Sequence, residues 1–302
     1  MIYNAKPIEI TATDGFLLPG LFFVPKRKTK KAVIVLHGNG SSSVFYPIAR
    51  TVEYARYFTD KSIAYLGFNN RGSGYVTKIR KYVKGEEVDQ RAGTAYELIK
   101  DCVEDIDGAI NFLTAQGYTE LYLLGFSTGA NKVCVYNHYK PQNKIQKYIL
   151  VCGGDDSGIF YRVLGKQKFA RLLRTARGKI LRGKGAELVP GGVLGSLYSY
   201  QSIYDTIYPD GDYNTFPYID YFGKLSLSKK KLFRHYAAIQ KPTLVVYGER
   251  DEYCYGRVPD ILKLLEEKSA RPDLNAFVNI PGADHGFTGK EKELFLTITK
   301  WL

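Results

Sequence analysis

Six short apolar runs, each closed by a turn residue, recur along this chain: AVIVLHG from Ala32, IAYLGF from Ile63, LYLLGF from Leu121, YILVCGG from Tyr148, TLVVYG from Thr243 and AFVNIPG from Ala276. Runs of this length without polar alternation are what strands buried on both faces require. Segments of helical period separate them, the clearest carrying Tyr96, Ile99, Val103, Ile106, Ile110, Phe112 and Leu113 and ending near Gly117. Strand and helix in alternation predict a mostly parallel sheet covered by helices on both faces. Ahead of it, Pro7 to Thr13 and Phe16 to Val24 flank Asp14-Gly15, the signature of an antiparallel hairpin.

One interval breaks the rhythm. From the run at Tyr148 to the run at Thr243 the chain takes about ninety residues, too many for a connection inside an α/β unit. The expectation is an α/β core of residues 1–152 and 243–302 with an inserted cap subdomain at 153–242. The first half of the insertion places Phe169, Leu172, Leu173, Ala176, Ile180 and Leu181 at helical spacing. The second half, Tyr198 to Tyr221, is dense in tyrosine and turn residues and reads as compact and loop-rich.

Charge is uneven. The 302 residues carry 43 basic and 30 acidic side chains, a net of +13. Nine of the basic residues and no acidic one lie between Arg162 and Lys184, so without that segment the net would be +4. A solvated helix face explains such a run, and so would a surface that guides anionic substrates. Basic residues near tyrosines also suit nucleic acid, yet no recognised nucleic-acid motif accompanies them, so a nucleic-acid partner is not expected. Cys102, Cys134, Cys152 and Cys254 form no CxxC pair and read as free thiols. The opening residues Met1 to Phe16 alternate apolar and polar types, unlike a signal peptide, and no run approaches the roughly 20 apolar residues of a membrane span. A cytoplasmic protein without a membrane span is expected.

The chemistry-bearing stretch is LLGFSTGANK, where Gly125, Ser127 and Gly129 form G-x-S-x-G between a predicted strand and a predicted helix. A sharp turn there lifts the serine hydroxyl to the helix N-terminus, and only small residues on either side let the chain segments pass so closely. The same letters also occur as a Gly-Ser turn that merely joins strand to helix. Serine needs a base to take its proton, and the base needs an orienting acid. Four histidines exist: His37, His138, His235 and His285. His285, in PGADHGF after the last predicted strand, reaches the same sheet edge as Ser127. For the acid, YGERDEY supplies Asp251, with Glu249 and Glu252 as competitors. Asp251 is preferred because it leaves the strand end by one turn of loop. HGNG, His37 to Gly40, closes the first central strand, and the backbone N–H groups of Asn39 and Thr128 together would form an oxyanion hole.

These motifs, in this order over essentially the whole chain, resemble the α/β-hydrolase superfamily: HGNG, GFSTG, YGERDEY and GADHGF, with a cap inserted after the strand that follows the nucleophile helix. More narrowly, FNNRGSG from Phe68, GTAYELIKDCVEDIDGAINFL from Gly93 and GFSTGANK resemble an uncharacterised microbial group of serine hydrolases related to siderophore esterases. Cinnamoyl and feruloyl esterases are a looser likeness. Phe126 stands where many such relatives have histidine, which alters only the pocket beside the serine. The resemblance implies a serine esterase that works through an acyl-enzyme on a small-molecule ester, with no metal or organic cofactor. The tyrosine-rich half of the cap favours aryl acyl groups and its basic helix anionic substrates. Peptidase, thioesterase and carbon–carbon hydrolase chemistry remain open to the same residues, as does a non-catalytic ligand-binding role on the same fold. Phe126 and the cap tyrosines Tyr213 and Tyr218 are expected to contact substrate.

Overall fold

A computed structural model describes residues 5–40 and 42–302. The chain opens with the hairpin of β1 (Ala5–Thr11) and β2 (Leu17–Phe23), which pair antiparallel across the Asp14-Gly15 turn, where Gly15 takes a φ of 95°. All six apolar runs become strands or parts of strands: β3 (Lys31–Leu36), β4 (Ala64–Phe68), β7 (Glu120–Phe126), β8 (Ile145–Val151), β9 (Thr243–Gly248) and β10 (Ala276–Ile280). An additional hairpin, β5 (Thr77–Val83) and β6 (Glu86–Ala92), stands apart as its own two-stranded sheet. It is largely exposed, and its alternation of charged and apolar residues does not resemble the buried runs.

The main sheet runs β1-β2-β4-β3-β7-β8-β9-β10, parallel from β4 to β10. Helices α1 (Ile48–Thr59), α2 (Cys102–Ala115), α3 (Thr128–Tyr139), α7 (Val258–Lys268) and α8 (Glu291–Trp301) cover its faces. From β3 the chain turns outward to β4 and then returns to β7 on the other side of β3. That reversal makes the C-terminal ends of β3 and β7 a topological switch point, the place where open α/β sheets bind ligands. Leu36 and Gly125 are register partners there, so HGNG and the serine turn leave the sheet side by side.

Within the insertion lie α4 (Asp156–Leu181), broken at Gly165 (φ 73°, ψ 160°), α5 (Tyr200–Ile207) and α6 (Tyr218–Gly223). Its packing divides in two. Phe160, Phe169, Ala176, Val193, Tyr198, Tyr200, Ile203 and Ile207 form a small core of their own. Tyr213, Phe216, Tyr218, Phe233 and Tyr236 join the main core instead. On α4, Phe169 and Ala176 are buried as the spacing predicts, whereas Leu181 is 77% exposed because the helix ends there. Arg171, Arg174 and Arg177 face solvent. Among the described residues no helix is long and apolar enough to cross a membrane.

Candidate active site

Ser127 sits between β7 and α3 with φ 53° and ψ −124°, a conformation that L residues rarely adopt and that the surrounding chain must enforce. The glycines show how. A Cβ on Gly125 would stand 2.2 Å from the carbonyl carbon of Gly129, and one on Gly129 would stand 2.6 Å from the Leu36 carbonyl oxygen. Any side chain at either position would drive α3 off the sheet. Thr128 is the first residue of α3, where backbone N–H groups have no acceptor within the helix, and the helix dipole adds positive potential.

Opposite the serine, the loop after β10 carries His285, whose Nδ1 lies 2.9 Å from Oδ2 of Asp251. Asp251 is buried and follows β9, and its Oδ1 caps the next turn by accepting the Tyr253 N–H at 3.0 Å. The neighbouring acids take other work. Glu252 accepts the backbone N–H of His285 at 3.1 Å, and Glu249 accepts that of Gly282 at 2.7 Å. All three carboxylates in YGERDEY thus hold the histidine loop, and only Asp251 reaches the imidazole. Burial opposes a charge on His285, but the hydrogen bond and charge of Asp251, helped by Glu252 and Asp156, outweigh it and hold the pKa above the ordinary histidine value.

Ser127, Thr128, Asn39, Phe126 and His285 all border one cavity of about 520 Å³. Phe126 is half-buried in its wall and stacks on Tyr54 at 6.0 Å. The insertion contributes Ile159, Phe160, Val193, Leu194 and Tyr198 to the same cavity. Tyr213 and Tyr218, expected to contact substrate, are not among its described lining residues. Both are buried in the main core, where the Tyr218 and Tyr247 hydroxyls lie 2.7 Å apart and Tyr247 donates onward to the Gly153 carbonyl at 2.6 Å. A tyrosine whose hydroxyl finds a partner can be buried like any other large apolar side chain.

Residues the motifs did not single out also meet the cavity. Asp156, the first residue of α4, borders it and is held at 3.3 Å by Asn131 Nδ2. Burial, and then the neighbouring Asp155, push its pKa up to about 7. Cys152 lies beside Asp251 and His285, and one ligand atom of each falls within 4.8 Å of the others. Burial and the Asp251 charge raise the Cys152 thiol well above its usual range. Of the remaining histidines, His37 also borders the cavity, whereas His138 and His235 are not among its described lining residues. His235 is fully buried and shares a hydrogen bond with Asp212 at 3.0 Å, its ring 4.5 Å from that of His138. His37 accepts the Asn70 N–H at Nε2 (3.2 Å) and donates from Nδ1 to the Gly38 carbonyl (2.7 Å).

An eight-stranded sheet of this order with a strained serine at its switch point defines an α/β-hydrolase, an enzyme of the serine type. The chain belongs to the hydrolase family described as serine aminopeptidase, S33, whose model matches residues 27–289. Among solved structures it is similar to Est1E from Butyrivibrio proteoclasticus with ferulic acid bound (13% identity, 97% of this chain and 96% of that one, TM-score 0.63). It is similar as well to the Pyrococcus furiosus esterase Pf2001 (16%, 99% and 91%, TM-score 0.59) and to the α/β-hydrolase GrgF from Penicillium sp. sh18 (15%, 98% and 97%, TM-score 0.64). At these identities the likeness is one of fold. No curated protein matches the sequence.

Proposed function

We propose that this chain is a carboxylic ester hydrolase whose nucleophile is Ser127. In this reading His285 Nε2 takes the serine proton as Oγ attacks the ester carbonyl, forming a carbon–oxygen bond and a tetrahedral oxyanion. The backbone N–H groups of Asn39 and Thr128 receive that oxyanion. Collapse breaks the bond to the leaving alcohol, which takes the proton from His285. Water, deprotonated by the same histidine, then releases the acid from the acyl-enzyme and restores Ser127. Asp251 fixes the imidazole with Nδ1 protonated and stabilises its charged form. The single observation that carries this reading is the 2.9 Å contact from Asp251 to a histidine that shares a cavity with the strained serine.

A small substrate suits a cavity of about 520 Å³. Its aromatic border, Tyr54, Phe126, Phe160 and Tyr198, favours an aryl acyl group, in keeping with ferulic acid in the similar Est1E, while Arg50 at the same border favours an anionic substituent. The segment from Asp156 to Ile207 acts as the cap that selects between substrates. Four buried cysteines, unpaired among the described residues, support a reducing compartment, the cytoplasm. The family's description as an aminopeptidase favours amides as the second substrate class. The test is a fluorophosphonate probe followed by a panel of short acyl esters, aryl esters and aminoacyl amides. Labelling at Ser127 with ester turnover supports the proposal. Turnover of amides alone moves it to peptidase chemistry, and absence of labelling removes it.

A further inference from the structure

The interior behind the serine helix holds a charged pair that the proposed reaction does not use. Lys132 on α3 is 1% exposed, and its Nζ bonds the carboxylate of Glu97, itself 5% exposed. Replacing a buried ion pair with apolar side chains of similar volume is often neutral or stabilising, so stability alone is weak reason to keep one here. What the pair touches is informative. Lys132 Nζ also donates to Oδ1 of Asn70 at 3.0 Å. The backbone N–H of Asn70 donates to Nε2 of His37 at 3.2 Å, and Nδ1 of His37 donates to the carbonyl of Gly38 at 2.7 Å. One polar chain thus runs from the body of α3 to the loop that carries Asn39.

We propose that Lys132 and Glu97 are positioning residues: through Asn70 and His37 they set the distance between the Asn39 amide on the loop after β3 and the Thr128 amide at the start of α3, the two donors assigned to the oxyanion. The inference rests on the proposed esterase reading for what those donors do, and on the geometry alone for how they are held. Two donors act together only when both meet one oxygen, and misplacing either by about 1 Å costs on the order of 100-fold in rate. Other bonds hold the far end of the loop, where Thr94 Oγ1 donates to the Gly40 carbonyl at 3.3 Å and Ser42 Oγ to the Asn39 carbonyl at 3.0 Å. The chain through Asn70 and His37 is what ties its near end to α3, which packs against β7 and β8. A lysine on that helix can transmit its position. Burial first, and then the nearby Lys132 charge, pull the His37 pKa down to about 3, so its Nε2 remains an acceptor at any pH at which the enzyme would work. The bond from Asn70 to His37 is therefore not a pH switch. Gly38 adds a steric stop, since a Cβ there would meet the Ser127 Cβ at 3.2 Å.

The experiment compares the wild type with Lys132→Met/Glu97→Gln, which removes both charges at near-constant volume and strands neither, and with Asn70→Leu, which cuts the chain beyond an intact pair. Competent sites are counted by end-point titration with a fluorophosphonate, and kcat and KM for p-nitrophenyl acetate are expressed per titrated site. The expected result is a cooperative thermal melt, KM within about twofold of wild type and kcat reduced by roughly 10- to 100-fold in both variants. Wild-type kcat per titrated site in either folded variant would overturn the proposal, because a purely structural pair lowers the number of competent sites and leaves each one intact. If the double variant does not fold, Asn70→Leu decides the matter. If the wild type is neither labelled nor active, the esterase reading fails by itself, and the positioning claim is read from amide hydrogen exchange at Gly38 to Gly40. Exchange at least tenfold faster in the variants supports it, and unchanged exchange overturns it.

Discussion

Asp251 Oδ2 lies 2.9 Å from Nδ1 of His285, while Glu252, one residue further on, reaches only the backbone N–H of the same histidine at 3.1 Å. Adjacent residues at the end of β9 point to opposite sides of the loop, so one carboxylate meets the ring and the other the main chain. Asp251→Asn should lower kcat by about ten-thousand-fold, since an amide no longer favours the productive tautomer. Glu252→Gln should cost about tenfold at most, the equivalent of roughly 1.4 kcal/mol, because an amide oxygen still accepts the N–H. Steady-state kinetics on p-nitrophenyl acetate distinguish the two, and a larger loss in Glu252→Gln would move the acid by one residue.

The acidic limb of the rate profile follows from the raised pKa of His285. Its neutral form is the base, so activity falls as pH drops through the folded pKa, which lies above the ordinary value of about 6.5. In Asp251→Asn the chief interactions that favour the charged ring disappear while burial, which opposes it, remains. The residual activity of that variant should therefore persist to lower pH than in wild type. Asp156→Asn should shift the limb the same way by less, because its carboxylate is the smallest of the contributors. The linked effect on stability has the same origin: a raised folded pKa stabilises the fold below about pH 6.5 and the gain is lost as pH rises through the folded value. Kinetics of kcat/KM against pH for the three proteins measure the order, and an acidic limb that moves upward in Asp251→Asn would contradict it.

The turn that presents Ser127 tolerates no Cβ at Gly125. Gly125→Ala places a methyl 2.2 Å from the backbone of Gly129, which cannot rotate away as a side chain would. Overpacking of this kind costs about 1–3 kcal/mol or more, and relief can come only by moving α3 and hence Ser127 and Thr128. The expected outcome is a lowered Tm together with loss of fluorophosphonate labelling in the fraction that folds. Wild-type labelling rate in a stable Gly125→Ala protein would show that the close approach is not needed.

The six parallel strands were legible because their runs are mostly apolar, unbroken in the five that are buried and interrupted only by Asn279 in the edge strand β10, and the placement of Ser127, Asp251 and His285 because each lies in a motif that follows a strand. The β5–β6 hairpin was not, since an exposed ribbon needs no apolar signature. Nor was the course of the tyrosines in the second half of the insertion. Tyr198 and Tyr218 are both buried aromatic residues in turn-rich sequence, yet one borders the cavity and the other joins the main core. What separates them is tertiary packing: the Tyr218 hydroxyl meets that of Tyr247 at 2.7 Å, a long-range contact that local sequence does not encode. The link from Lys132 to Asn70 and His37 was hidden for the same reason: Glu97, Asn70 and His37 lie 35 or more residues from Lys132 and meet it only through the fold.

Tyr218 in the main core and the phenylalanines of the cavity give opposite expectations for selectivity. Tyr218→Phe removes one hydroxyl from the buried pair with Tyr247, and Tyr247 keeps its bond to the Gly153 carbonyl, so the loss should be about 1 kcal/mol of stability. Aryl and aliphatic esters should be turned over in the same ratio as before. Phe126→Ala and Phe160→Ala, by contrast, remove aromatic walls of the cavity beside Ser127, and an aryl acyl group should lose more contact than an acetyl group does. At least one of them should lower kcat/KM for an aryl ester by about tenfold relative to p-nitrophenyl acetate, a difference of roughly 1.4 kcal/mol that one aromatic contact supplies. Measuring both ratios in all three variants tests the division directly: a changed ratio in Tyr218→Phe, or an unchanged one in both wall variants, would mean that the acyl group lies outside the cavity bordered by Phe126 and Phe160.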